Sequence, residues 1–246
     1  MTIHLYTLCW NEMDILPFVI DYWKRFVTKA VVYDNGSTDG SIEYLKQFDW
    51  IEVRHFETNG MDDGKLRDIK NSCWKESVGK ADWVVMCDMD EIIFSKNIIE
   101  ELKLASESGY TAIESKWYWF CDDNLPKYEP NGPMLHEKCT KFFNNPGKII
   151  LFNPNEIKEM GYSPGAHTIN PIGNFKLYKT DDIIVFHTDK GFGVEYKLKR
   201  YEVMNNRQSE NNKRHKWSIH YGFKKEKIIN DYIECQKKSF NINDKI

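Results

Sequence analysis

The chain has 246 residues, of which 41% are hydrophobic and 29% are charged. This balance is typical of a folded globular protein and excludes a disordered chain, and the length suits one large domain with or without an extension. The formal net charge of −3 disfavours a general nucleic-acid-binding protein, because that class is strongly basic.

The N-terminal residues lack the basic start, the long apolar stretch and the small-residue cleavage site of a signal peptide. No segment approaches the roughly 18 consecutive apolar residues that a transmembrane helix needs. The six cysteines are far apart and form no CxxC pair, so we expect free thiols in a reducing compartment. These features predict a cytoplasmic protein.

The first 110 residues alternate between apolar strand patterns and helical patterns. The predicted strands are Ile3–Leu8, Ala30–Tyr33, Ile51–His55 and Trp83–Cys87, and the last predicted helix of this part is Asn97–Ser106. This order is typical of a parallel sheet with helices on both faces, which binds ligands at the carboxyl ends of its strands. We therefore predict an α/β fold whose ligand-binding half is residues 1–110.

The pattern changes after Thr111. The predicted elements are a strand at Thr111–Phe120, a hairpin of Lys141–Phe143 and Ile149–Phe152 around Asn145-Pro146-Gly147, strands at Phe175–Tyr178 and Ile183–His187, and helices at Val194–Ser209 and Lys225–Lys238. We predict that residues 111–190 complete the same domain and that residues 191–246 form a C-terminal helical extension.

An acidic cluster, Asp88-Met89-Asp90-Glu91, directly follows the buried strand Trp83–Cys87. Three carboxylates this close together repel one another unless a cation lies between them. A hard divalent ion such as Mg²⁺ or Mn²⁺ prefers carboxylate oxygens and also binds phosphates. The alternative is an acidic, solvated loop that caps a helix, but the position after an apolar strand favours the metal site.

A turn-rich loop, Asp34 to Ser41, follows the second predicted strand. Its glycines permit tight turns, and its Ser, Thr and Asp side chains suit the cap of the next helix. Such a loop can bind a nucleoside through its carboxylate and phosphate through its backbone N–H groups. Taken alone, it is equally typical of an ordinary connection between a strand and a helix.

Together these segments resemble the family 2 glycosyltransferases and their GT-A relatives. The matching segments are Trp10-Asn11-Glu12 with Ile15-Leu16-Pro17, Tyr33 to Ser41, Lys65 to Asn71, and Asp88 to Ile93. Their order and spacing match the family over roughly residues 1–95. The resemblance implies a GT-A (Rossmann-like) fold and the transfer of a sugar from a nucleotide-diphosphate sugar, with Mn²⁺ or Mg²⁺ as cofactor.

The resemblance also implies roles for individual residues. Asp34 would contact the base of the donor nucleotide, and Asn11 and Glu12 would line the same pocket. Lys65, Asp68 and Asn71 would lie over the base, ribose or phosphate, while Asp88 and Asp90 would hold the ribose and the metal. GT-A relatives often supply a late histidine to the metal, which favours His187, and His167 would contact diphosphate or acceptor.

An inverting transferase needs a general base that deprotonates the acceptor hydroxyl, whereas a retaining one does not. The candidates are Asp122 and Asp123, which follow the strand ending at Phe120, and then Glu91, which follows the two aspartates of the acidic cluster. We expect an inverting enzyme.

The acceptor is predicted from charge. Residues 196–227 contain ten Lys or Arg against three Asp or Glu, which is typical of a solvated helix face but also suits an anionic acceptor or peripheral contact with the inner membrane surface. We expect a glycan or lipid-linked acceptor in bacterial surface polysaccharide or lipooligosaccharide assembly. The alternatives are a GT-A-like nucleotidyltransferase and a non-catalytic module that binds a sugar or a nucleotide.

Overall fold

The computed structural model describes residues 1–189 and 191–242. The strands are β1 (Ile3–Cys9), β2 (Lys29–Asp34), β3 (Ile51–His55), β4 (Trp83–Asp88), β5 (Glu91–Phe94), β6 (Ala112–Phe120), β7 (Phe142–Asn144), β8 (Leu151–Phe152), β9 (Ile157–Glu159), β10 (Ile172–Gly173) and β11 (Leu177–His187). The α-helices are α1 (Leu16–Trp23), α2 (Ser41–Leu45), α3 (Asp63–Ser72), α4 (Ile98–Glu107), α5 (Leu135–Lys138), α6 (Val194–Asn206), α7 (Glu210–His215) and α8 (Lys225–Lys237).

Nine strands form one mixed sheet in the order β3-β2-β1-β4-β8-β6-β11-β5, with β7 paired to β6. Strands β3, β2, β1 and β4 are parallel to one another. Successive residues of a strand face opposite sides of a sheet, so Leu5 and Val85 pack into one apolar cluster while Tyr6 and Val84 pack into another. Burial on both faces explains why β4 is almost continuously apolar, whereas the edge strand β3 alternates apolar and charged residues. The predicted α/β fold flanked by helices is confirmed.

The parallel strands bring the carboxyl ends of β1, β2 and β4 to one edge of the sheet. Cys9 of β1 lies opposite Asp34 of β2, and Leu8 lies opposite Asp88 of β4. The first strand and the acidic cluster are therefore neighbours at this edge, although nearly 80 residues separate them in the chain.

The acidic cluster continues into a strand that the sequence did not indicate. The chain turns after Asp88 and enters β5, which runs antiparallel to β11 and pairs Glu91 with His187. The amide of Thr188 also donates to the carbonyl of Asp90 at 3.0 Å. The two late strands predicted separately are one strand, β11, with a shift of register between Lys179 and Ile184.

The predicted hairpin around Asn145-Pro146-Gly147 is wrong. Strand β7 pairs with the end of β6, whereas β8 pairs with β4 and the start of β6. The intervening segment follows the edge of β6, since the amide of Asn145 donates to the carbonyl of Trp117 at 3.0 Å. Gly147 has a φ of +80°, and a Cβ there would lie 2.6 Å from the Trp117 ring, so glycine permits this close approach. The path brings Lys148 to the acidic cluster.

Helix α1 is fixed to the rest of the domain by a buried polar contact. The Tyr22 hydroxyl lies 2.7 Å from Nδ1 of His136 and accepts from the His136 amide at 3.0 Å. The His136 ring packs against Phe94, with the ring centroids 4.2 Å apart. Burial lowers the pKa of His136 to about 4, so this imidazole is neutral at neutral pH.

The C-terminal helices pack back onto the sheet domain. Helix α8 is joined to the end of β6 by a disulfide between Cys121 and Cys235, whose Cα atoms are 6.6 Å apart although 114 residues separate them in sequence. The expectation of six free thiols is therefore wrong for this pair, because the fold makes neighbours of two cysteines that are remote in the chain. The remaining four cysteines are buried and form no disulfide. None of the helices described is both long and apolar enough to cross a membrane.

Candidate active site

A cavity of about 380 Å³ lies at the carboxyl edge of the sheet, between the sheet and the C-terminal helices. The sheet edge and the loops beside it contribute Trp10, Glu12, Asn35, Phe56, Asp88, Asp90, Lys148, His167 and His187. The C-terminal segment contributes Lys197, Arg200, Tyr201, Arg207, His220, Tyr221 and Phe223. The segment predicted as an extension is therefore a wall of the cavity.

Asp88 is held between two buried lysines. Lys70 of α3 donates to its Oδ1 at 2.6 Å and Lys148 to its Oδ2 at 3.1 Å. Lys148 also pairs with the buried carboxylate of Glu91, which accepts from the Asp88 amide at 2.9 Å. Burial alone would raise the pKa of Asp88, but the two ammonium groups outweigh it and hold that pKa far below its usual range. Asp88 is therefore an ionised and oriented carboxylate.

Asp90 is bound by an arginine and a histidine. Its Oδ2 lies 3.2 Å from Nη2 of Arg200 and 3.4 Å from Nε2 of His187. The Arg200 guanidinium also binds Glu12 through two hydrogen bonds, at 3.1 and 3.2 Å. Arg200 thus connects the end of β1, the acidic cluster and α6. The Nδ1 atom of His187 lies 3.3 Å from the side-chain nitrogen Nδ2 of Asn145, and this contact fixes the orientation of the ring.

Asp90 and His187 are spaced as two ligands of a divalent cation would be. Ligand atoms at about 2.0–2.2 Å from one ion lie roughly 3 Å apart, and the 3.4 Å between Asp90 and His187 is close to that spacing. Both oxygens of Asp88 are occupied by lysines, and residues 1–189 and 191–242 contain no group of three His, Cys, Asp or Glu arranged for a metal. The residues therefore fit a site with two protein ligands, Asp90 and His187, in which Asp90 Oδ2 also keeps the Arg200 guanidinium 3.2 Å away. The oxygens of a bound phosphate would complete such a site.

Asp34 and Asn11 hold the loop between β2 and α2 but do not line the cavity. The buried carboxylate of Asp34 accepts from the amides of Gly36 and Ser37, each at 3.1 Å. The Asn11 side-chain oxygen accepts from the Thr38 backbone amide at 2.7 Å, and the Asn11 backbone amide donates to the Ser37 hydroxyl at 2.9 Å. Both side chains therefore rigidify the loop between β2 and α2.

The three residues predicted on α3 also lie outside the cavity. Lys65 is exposed, and Asp68 is exposed and pairs with Arg67 at 2.7 Å. Asn71 exchanges two hydrogen bonds with the backbone of Tyr162, at 2.8 and 3.0 Å. The residue of this helix that reaches Asp88 is Lys70, which the sequence did not single out.

The structure does not bring the three predicted general bases into the cavity. Asp122 accepts from the Thr140 amide at 2.9 Å, and Asp123 pairs with Lys141 at 2.6 Å. Glu91 is 1% exposed and is engaged with Lys148. His167, by contrast, lines the cavity from a loop after a 3-10 turn at Pro164–Ala166. Burial, followed by the nearby charge of Lys148, lowers its pKa, so it is neutral at neutral pH.

Arg207 lines the cavity beside the loop between β2 and α2. Its guanidinium lies 3.4 Å from the centroid of the Trp10 ring and donates to the Asn35 side chain at 2.8 Å. Its carbonyl accepts from the Met61 amide. Arg200 and Arg207 could not be singled out from the sequence, because each lies in a basic segment that is also typical of a solvated helix face.

The model of glycosyltransferase family 92 matches residues 5–227, which include the sheet, the acidic cluster and the C-terminal wall of the cavity. No curated protein sequence matches the chain significantly.

Solved structures show more distant similarity. Staphylococcus aureus TarS is 11% identical with a TM-score of 0.49, covering 97% of this chain and 44% of TarS, so the chain spans less than half of that protein. TarS residues 1–349 in complex with UDP are 12% identical with a TM-score of 0.47, covering 96% and 81% of the two chains. Glucosyl-3-phosphoglycerate synthase from Mycobacterium tuberculosis, in complex with Mn²⁺, UDP and phosphoglyceric acid, is 19% identical with a TM-score of 0.33, covering 47% and 43%. These likenesses identify neither the donor nor the acceptor of this chain.

The match to family 92 covers most of the chain, so it identifies the kind of enzyme. It confirms the prediction of a glycosyltransferase and corrects the closer assignment to family 2, whose resemblance rested on roughly residues 1–95. The shared motifs are short, and they do not separate one family of sugar-nucleotide transferases from another. The chain belongs to glycosyltransferase family 92.

Proposed function

We propose that the chain transfers a sugar from a nucleoside-diphosphate sugar to an acceptor hydroxyl in the cavity at the carboxyl edge of the sheet. One observation carries this proposal: the carboxylates of Asp88 and Asp90 meet Lys70, Lys148, Arg200 and His187 in a single cavity. Such a set of alternating charges suits a ribose, a diphosphate and a cation bound side by side.

The carboxylates and the late histidine would divide the binding of the donor. Asp88, held in one orientation by two lysines, would accept hydrogen bonds from ribose hydroxyls. Asp90 and His187 would hold Mn²⁺ or Mg²⁺ together with the diphosphate. When bound, the ion would neutralise negative charge on the departing diphosphate as a Lewis acid. The loop fixed by Asp34 and Asn11 would present the Asn35 side chain to the nucleotide.

The cations of the cavity would stabilise the leaving group. Breaking the sugar–phosphate bond places growing negative charge on the diphosphate, and fixed positive groups are most effective where that charge develops. Lys70 and Lys148 have exposed fractions of 6% and 7%, so their positions are set by the fold before the donor arrives. Arg200 adds a guanidinium that Glu12 and Asp90 orient.

For an inverting transfer, we propose His167 as the general base. The requirement is a group that is unprotonated at neutral pH and within reach of the acceptor hydroxyl. His167 lines the cavity and has a lowered pKa, whereas Asp122, Asp123 and Glu91 are engaged elsewhere. A His167→Asn variant should therefore lower kcat far more than donor affinity, and equal kcat would remove His167 from this role.

The acceptor would be a glycan or a lipid-linked sugar, in a bacterial surface polysaccharide or lipooligosaccharide pathway, with the protein in the cytoplasm or at the inner face of the membrane. The support is the charge of the C-terminal segment, which forms one wall of the cavity. The disulfide between Cys121 and Cys235 is unusual for a reducing compartment, so the redox state of these cysteines in cells tests the proposed location.

Calorimetric titration with nucleoside diphosphates, with and without Mn²⁺, tests the donor site. We expect one diphosphate to bind in a Mn²⁺-dependent manner, and Asp90→Asn to remove the dependence on metal. Asp68→Asn is the matched control, because Asp68 is exposed on α3 and should leave binding unchanged. A nucleotidyltransferase would instead prefer a nucleoside triphosphate, and a binding module would bind the donor without turning it over.

A further inference from the structure

The segment from the last turn of α7 to the first turn of α8 forms a strongly basic surface, which we call the basic tip (residues 213–227). It exposes six cationic side chains and a single carboxylate, that of Glu226. The cations are Lys213, Arg214, Lys216, Lys224, Lys225 and Lys227. Because the whole chain has a net charge of −3, this positive charge is a local feature and not a property of the surface in general.

Most of these cations are not neutralised by the protein. Lys213 pairs with Glu210 at 2.8 Å, and Lys227 pairs with Asp231 at 2.9 Å. The other four make no ion pair with a carboxylate of residues 1–189 or 191–242. Four unneutralised cations within twelve residues form a site for a polyanionic surface.

Two large apolar side chains project from the same tip. Ile219 is 58% exposed and Phe223 is 37% exposed, and the Lys227 ammonium lies 4.9 Å from the Phe223 ring centroid. Apolar side chains surrounded by lysines are typical of segments that lie at a membrane interface, where the apolar groups enter the acyl boundary and the cations meet anionic headgroups. A nucleic acid backbone is also polyanionic, but it has no apolar interior, so Ile219 would stay in water if the tip bound one.

The tip is also a wall of the active-site cavity. His220, Tyr221 and Phe223 line that cavity, while Ile219 and the lysines beside them face outward. A flat surface in contact with the tip would therefore lie beside the cavity mouth. An acceptor carried by a lipid would then reach the cavity without leaving the bilayer.

We propose that the basic tip docks this protein on an anionic lipid bilayer, with Ile219 inserted between the headgroups and Phe223 at the edge of the cavity. The contact is electrostatic in its first step, so it weakens as ionic strength shortens the range of the charges. It is a property of the folded chain and does not depend on the sugar-transfer reaction.

Co-sedimentation with vesicles of stated composition tests the proposal. Wild-type protein should bind vesicles of phosphatidylcholine containing phosphatidylglycerol, bind pure phosphatidylcholine at least tenfold more weakly, and dissociate as salt is raised. Lys224→Ala with Lys225→Ala should lower the partition coefficient roughly tenfold or more, given the attraction of each basic residue to an anionic leaflet. Ile219→Ser, which keeps every charge of the tip, should also lower the partition coefficient.

The matched control is on the surface of α4, where Lys103 and Leu104 are also exposed. Lys103→Ala with Leu104→Asp should leave vesicle binding unchanged. Nucleoside-diphosphate binding by the lysine variant should equal that of wild type, which shows that its fold is intact and separates this proposal from the proposed reaction. The proposal would be overturned if the wild-type protein did not co-sediment with anionic vesicles. It would also be overturned if the control variant lost as much vesicle binding as the tip variants.

Discussion

At the scale of single residues, the acidic cluster is compensated by side chains of the protein itself. Lys148 serves two carboxylates, Asp88 and Glu91, in a buried position. Removing one partner of a buried ion pair leaves the other charge without compensation, which costs far more than losing a surface pair. Lys70, Lys148 and Arg200 therefore stabilise the fold, in addition to the roles proposed for them in donor binding.

Lys148→Met should lower the free energy of unfolding by roughly 3 kcal/mol or more, because Glu91 and Asp88 lose a buried counter-charge. Chemical denaturation measures the change. The control is Lys75→Met, which removes a solvent-exposed pair with Glu159 at 2.5 Å and should cost at most about 1 kcal/mol. Equal losses in the two variants would mean that the acidic cluster does not need Lys148.

His187→Ala should lower the affinity for Mn²⁺, measured with nucleoside diphosphate present, by about tenfold or more. The reason is that an imidazole nitrogen would leave the coordination sphere. Spectroscopy of bound Mn²⁺ measures the affinity directly. His215→Ala is the control, because His215 is exposed and stacks on Trp217. Unchanged metal affinity with unchanged turnover would return His187 to a structural role.

At the scale of elements, α1 and α5 are coupled through Tyr22 and His136, and this contact titrates. The pKa of His136 is about 4 in the folded protein and about 6.5 in an unfolded chain. Below pH 6.5 the unfolded state binds more protons than the folded state, so stability falls as the pH falls from about 6.5 to 4. The loss attributable to this group is about 3 kcal/mol at full protonation.

Thermal or chemical unfolding between pH 7 and pH 4 measures that loss. His136→Gln removes the titrating group, so its stability should fall less over this interval than that of wild type, although it starts lower. His215→Gln changes an exposed histidine and should reproduce the wild-type pH dependence. Parallel pH profiles for wild type and His136→Gln would show that His136 does not limit acid stability.

The elements that could be predicted from the sequence are those with a local signature. Strand β4 is buried along nearly its whole length, and β1 and β2 are mostly buried, so each has a strong apolar signature. The edge strand β3 instead alternates apolar and charged residues. The ends of all four strands were predicted within about one residue. The hairpin failed because Asn145-Pro146-Gly147 resembles a tight turn, whereas Gly147 is needed for contact with Trp117. Only tertiary packing distinguishes the two uses of that glycine.

The same limit applies to the site. Asp88, Asp90 and Glu91 are contiguous, so their repulsion is evident from the sequence and pointed to a cationic partner. The partners observed are Lys70, Lys148 and Arg200, which come from a helix, an edge segment and a C-terminal helix. Each is a single basic residue in an ordinary local context, and no spacing rule connects it to the acidic cluster.

At the scale of the whole molecule, the cavity exists only because the C-terminal helices cover the carboxyl edge of the sheet. Arg200 and Arg207 reach back to Glu12, Asp90 and Asn35, so the first and last parts of the chain build one site. The match to family 92 extends to residue 227 and includes this cover. The proposed sugar transfer would therefore require the complete cavity.

The central claim is sugar transfer from a nucleoside-diphosphate donor at this cavity, and release of nucleoside diphosphate from a panel of sugar nucleotides tests it most directly. We predict Mn²⁺- or Mg²⁺-dependent release from one donor by wild type, loss of at least about a hundredfold in Asp90→Asn, and wild-type rates in Asp68→Asn. Release by Asp90→Asn at the wild-type rate would contradict the account, because the carboxylate that joins Arg200 and His187 would then have no part in the reaction.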